Sequence, residues 1–164
     1  MLNKTRVTAP SKTYLAGILL VAVLVSPLAV KAQGTTTQSA GDSNVRPAIT
    51  KVDLQIIKRA REILDSPAKW NRADNRECPA EAKTFSLYCA LQIATVEIGG
   101  SAQHRGAALQ EARFVIDEIA RDRNYEHRLM NYNNDPTTTF ADIQEVLRIT
   151  ESLITLRLKA NGSK

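Results

Sequence analysis

An all-α fold, a compact bundle of about four helices behind an N-terminal extension, is what this sequence predicts. Three observations lead there. Apolar residues recur at helical spacing over four stretches between residues 50 and 160, and proline or glycine falls between several of those stretches. No stretch sustains the two-residue alternation of a half-buried strand.

The chain has 164 residues, room for one domain plus extensions. Its formal charge of +5 is concentrated at one end, because Lys4, Arg6, Lys12 and Lys31 precede any acidic residue. Subtracting these 4 from the 22 basic residues leaves 18 against 17 acidic ones, so the domain is nearly neutral and no nucleic-acid partner is expected. Residues 1–32 read as a secretory signal peptide: a basic start, the apolar run Tyr14 to Val25, the break at Ser26-Pro27 and small residues around Lys31-Ala32. The run is short for a bilayer span, which takes about 20 residues, so a membrane role is expected only if this leader stays uncleaved. Residues 33–49 are rich in Gly, Thr, Ser, Gln and Asn and read as a flexible lead-in to a helical domain over 50–160.

Helix one begins at Thr50, with Asp53 three residues on as a capping-box partner. Val52, Ile56, Ala60, Ile63 and Leu64 form its stripe, widened by Ile57, and Asp65-Ser66-Pro67 stops it. A loop from Ala68 to about Pro79 carries the only tryptophan, Trp70. Helix two, about Ala82 to Ile98, is apolar almost all round, as a helix enclosed by others would be, and Gly99-Gly100 ends it. Helix three, about Arg105 to Arg121, buries Ala108, Leu109, Ala112, Val115, Ile116 and Ile119. A polar link and turn lead to helix four, Phe140 to about Leu158, with Ile143, Val146, Leu147, Thr150, Leu153, Ile154 and Leu158 on its buried face.

Cys78 and Cys89 are the only cysteines, and in an exported chain a disulfide between them is favoured over free thiols. A nucleophilic Cys89 paired with His104 or His127 is the sharper alternative, but Cys89 sits among apolar neighbours with no supporting motif. The two histidines are far apart in sequence and have no metal-ligand spacing, and no phosphate loop or hydrolase elbow is present, so neither a metal nor a cofactor is expected. The interleaved charges Arg72, Asp74, Arg76, Glu77, Arg121, Asp122, Arg123, Glu126 and Arg128 read as a solvated surface.

The densest polar stretch is Asn131-Tyr132-Asn133-Asn134-Asp135-Pro136-Thr137-Thr138-Thr139. Aligned to a calcium loop it fails, because its first position is a neutral amide and Pro136 stands where glycine must turn. Local capping is more economical: the amides bond nearby backbone and Thr139 with Asp142 starts the last helix.

Trp70, the Cys89-Ala90-Leu91 helix and Asn134-Asp135-Pro136-Thr137-Thr138 before the last helix together resemble a family of small bacterial helical proteins known only as a domain of unknown function. In that family the turn commonly reads Trp-Asn-Asp, where here Tyr132 is the aromatic and Asn133 is an added amide. The resemblance spans about Asp53 to Leu158; it implies the helical fold and weight on Trp70, Cys89, Asn134, Asp135 and Thr138, with no activity attached.

The functional expectation is an exported, periplasmic or extracellular, non-enzymatic module that binds an envelope protein or small ligand through Trp70, Asn131, Tyr132, Asn133, Asn134, Asp135 and Thr138. Its alternatives are a small hydrolase using Asp135 and His127 as acid and base, and a purely structural envelope protein.

Overall fold

A computed structural model of the chain describes residues 46–162. The expected signal peptide and most of the lead-in lie outside the described residues. Among the described residues there are five α-helices and no strand: α1 (Lys51–Ile63), α2 (Leu87–Gly99), α3 (Ala107–Ile119), α4 (Arg128–Asn134) and α5 (Phe140–Gly162). A single 3-10 turn, Pro67–Lys69, follows α1. The bundle is all-α as expected, with one more helix than expected: residues read as a polar link and turn form α4. No helix of the described residues is long and apolar enough to cross a membrane.

The capping chemistry read from sequence sets the helix starts. Thr50 donates its N–H and hydroxyl to Asp53 Oδ2, both at 2.8 Å. The other oxygen of Asp53 accepts from Ala108 N at 3.1 Å, so one carboxylate serves the first turns of α1 and α3. Helix α2 is the exception: it starts at Leu87 rather than near Ala82 as expected, where Ser86 caps it by accepting from Cys89 N at 3.1 Å. Gly100, at φ 78°, closes that helix in the left-handed conformation glycine adopts at little cost. Thr139 and Asp142 form the expected reciprocal cap on α5.

The helix α1 packs against α2 and α5, α3 against α5, and α4 closes over α3 and α2. Ile57, Leu64, Leu87, Leu91, Leu109, Ile116, Ile143, Leu147 and Ile154 are fully enclosed. Four residues of the expected stripes lie outside this core: Val52 (43% exposed), Val96, Ile98 and Ile119 sit near helix ends where no neighbour covers them. Burial also reaches groups expected in solvent. Glu111 is fully buried between Arg46 and Arg157, and Arg128 is buried and pairs with Asp117 at 2.9 Å. Arg157 also donates to Pro47 O at 3.0 Å, and Ile49 joins the core, so residues 46–49 are already attached to the bundle ahead of α1.

Candidate functional site

The 22 residues between Leu64 and Leu87 hold one 3-10 turn and no other helix, yet they are tied down at every stage. Near the start, Phe85 N donates to Lys69 O at 2.7 Å and Asn71 N to Phe85 O at 3.0 Å, a short ladder joining the two ends of the loop. A disulfide joins Cys78 to Cys89, as the sequence predicts, and no free thiol is left for a nucleophilic Cys89.

The remaining ties come from α4, and they account for each of its amides. Asn131 accepts the His127 N–H at 2.7 Å, closing the first turn of α4 on itself. Asn133 is 0% exposed. Its Oδ1 accepts from Trp70 Nε1 at 2.9 Å and from Leu87 N at 3.0 Å, while its Nδ2 donates to Asn71 O at 3.0 Å. One side chain therefore joins the tryptophan, the loop and the start of α2. Asn134 acts like a short strand: Asp74 N donates to its Oδ1 at 2.7 Å and its Nδ2 donates to Asp74 O at 2.8 Å.

Asp135 follows as the C-cap of α4. Its carboxylate accepts from Arg123, from Tyr125 OH at 2.8 Å, and from Thr137 N and Oγ1 at 2.9 and 2.7 Å. The Arg123 guanidinium, then these Thr137 and Tyr125 donors, hold it well below the usual carboxylate range. The Asp135 carbonyl accepts from Arg72 at 2.8 Å, and Arg72 lies over the Trp70 ring. Trp70 itself is half-buried against Phe140, ring centres 6.2 Å apart. Tyr132 is buried, and desolvation pushes its hydroxyl up to about 12. Thr138 is buried with its N–H on Asp135 O at 3.0 Å.

The structure thus brings Trp70, Asn133, Asn134 and Asp135 into one connected network, while Tyr132 and Thr138 are enclosed beside it. Placing Asn131 and Asn133 on a helix, with their oxygens committed to the protein, removes the loop a calcium ion would need. Among the described residues no three His, Cys, Asp or Glu side chains come together as a metal site.

This geometry explains the Trp and Asn-Asp motifs as the lock between α4 and the loop. A family model matches residues 49–153, about two thirds of the chain. The chain belongs to the family of unknown function DUF6197. No curated protein and no solved structure matches it. The DUF6197 match begins at Ile49, the first core residue among those described, and takes in the loop, the disulfide and all of α4.

Several residues that shape the site carry little signal in sequence. Asn71, Arg123 and Tyr125 look like ordinary polar surface, and Asp74 reads as solvated charge but is 6% exposed. The only hint was composition: amides cluster in α4 beyond what capping one helix requires.

Proposed function

We propose that this member of DUF6197 is an exported, disulfide-stapled helical binding module of the bacterial envelope. In this reading it engages a protein or small ligand through the exposed face of the loop from Asn71 to Thr84, which Asn133, Asn134 and Asp135 hold from behind through Trp70, Asn71, Asp74 and Arg72, while Asn131, Tyr132 and Thr138 shape α4 and the turn that carry them. The supporting observation is convergence. The Asn133 and Asn134 amides, the Cys78–Cys89 bridge and the Lys69–Phe85 ladder all immobilise one loop that adds little to the core. Ordering a loop before it meets a partner lowers the entropic cost of binding, which is a use for ties that core packing does not need. Export rests on the leader-like residues 1–32 and on a bonded cysteine pair, which suits an oxidising compartment.

Acid–base catalysis by Asp135 and His127 has no support in the geometry. A general base working near neutral pH needs a free, basic carboxylate, and Asp135 is held strongly ionised and bonded on both oxygens.

A photo-crosslinking residue placed singly at the exposed positions Asn75, Lys83 and, as a control on α5, Ser152 tests the reading in cells. Capture of one specific partner from Asn75 and Lys83 but not from Ser152 is the expected outcome. Equal capture from all three, or none from the loop while small-molecule titrations are also blank, would reject the loop as a binding face.

A further inference from the structure

The Cys78–Cys89 bridge is unevenly exposed. Cys78 is half-buried in the loop, whereas Cys89 is 5% exposed in the first turn of α2. Two surface cavities meet at this bridge. One, of about 280 Å³, is bordered by both cysteines together with Glu77, Pro79 and Lys83. The other, of about 630 Å³, is bordered by Cys78 but not by Cys89, and lies among Ile63, Phe85 and Ile93. Of the two partners in the bridge, Cys78 is therefore the one a reagent in solvent meets first.

The surroundings also suit the opened bridge. Cys89 is the third residue of α2, where the helix N-terminus favours a thiolate over a thiol. Its Sγ lies 3.3 Å from Glu77 O, within reach of a weak S–H···O bond once it is protonated. The loop keeps other anchors without the bridge: Asn134 holds Asp74 near its start, and the Lys69–Phe85 ladder holds its end. What the bridge itself adds is a tie from the middle of the loop to α2.

We propose that Cys78 is a site of thiol–disulfide exchange with a dithiol, and that reduction there frees residues 75–84 from α2. A thiolate of the dithiol attacks Cys78 Sγ; the new S–S bond forms as the Cys78–Cys89 bond breaks, and the electron pair leaves on Cys89 Sγ, which takes a proton from water. The second thiol of the reagent, after losing its proton to water, attacks its own sulfur in the mixed disulfide. Cys78 leaves as a thiolate and is protonated in turn. The dithiol ends as a disulfide and the protein gains two electrons and two protons; a disulfide oxidant reverses the exchange by the same two steps. The exposed face of the loop thus has a stapled and a released state, whatever that face binds.

Brief exposure of the full chain to reduced glutathione without denaturant, quenched with N-ethylmaleimide and mapped by mass spectrometry, identifies the attacked sulfur, since trypsin cuts after Lys83 between the two cysteines. Glutathione on Cys78 should exceed glutathione on Cys89 by about tenfold or more. Equal labelling, or an excess on Cys89, overturns the assignment. With dithiothreitol, reduction should go to completion in the folded protein, its rate changing less than about twofold in urea below the unfolding transition. Amide exchange should then rise by about tenfold or more in residues 75–84 while α1 and α5 keep their protection. Reduction only as the protein unfolds, loss of the helical circular dichroism on reduction, or unchanged exchange in residues 75–84 each overturns the proposal. Reduced thioredoxin outpacing dithiothreitol, thiolate for thiolate, points to a protein as the source of the dithiol, and the reverse to a small molecule.

Discussion

Asn133 has its amide oxygen and nitrogen both committed inside the protein, which makes it the residue whose loss should be felt most widely. Asn133→Ala leaves the Trp70 indole N–H and the Leu87 N–H without an acceptor. Each orphaned buried group costs about 1–3 kcal/mol, so a loss of about 2–4 kcal/mol in urea unfolding is expected. Asn131→Ala, which removes one turn closure, should cost about 1 kcal/mol or less. Comparable costs for the two would mean that Asn133 does not join the loop to α2. The carboxylates at Asp135 and Asp74 should respond to pH with opposite sign. Folding lowers the Asp135 pKa below its ordinary 3.8, so its stabilisation is present above that value and is lost as pH falls through the folded pKa. Burial raises Asp74, so its contribution is present below 3.8 and declines as pH rises through its folded pKa. Urea midpoints followed from about pH 2 to 6 should therefore show a shallower acid limb in Asp135→Asn than in the parent.

At the scale of elements, α4 shows why a short helix need not announce itself. Seven residues, three of them asparagine, have too little helical propensity to hold together alone. What stabilises them is contact with α3 and α2 and the hydrogen bonds of Asn133 and Asn134 to another part of the chain. The starts of α1 and α3 are coupled in a similar way through Asp53. Asp53→Ala removes the cap of one helix and an acceptor at the other, and should cost about 2 kcal/mol, more than a single cap normally does. The disulfide acts mainly on the unfolded chain. Replacing Cys78 and Cys89 together by serine should lower stability by about 3 kcal/mol in the chain-entropy model, while far-ultraviolet circular dichroism stays that of a helical protein. A collapse of the helical signal would instead mean that the bridge is needed to build α2.

For the molecule as a whole, the boundary of the domain lies before its first helix. Ile49 is in the core, and Arg46 and Pro47 are held by Glu111 and Arg157. A chain begun at Thr50 should therefore be less stable than one begun at Arg46 by about 1.5–3 kcal/mol from Ile49 alone, measurable by urea unfolding of the two fragments. The sequence by itself determined the all-α class, α1, α2, α3 and α5, their caps at Thr50, Gly100 and Thr139, and the pairing of two lone cysteines. These follow from interactions within a few residues or from apolar period, which is local information. Only the tertiary structure decided that α4 is a helix, that Asp74 and Glu111 are buried, and that the Asn133 and Asn134 amides hold a loop some 60 residues away in sequence. A polar side chain has the same composition whether it meets water or a distant backbone, and which of the two it meets is settled when the helices pack.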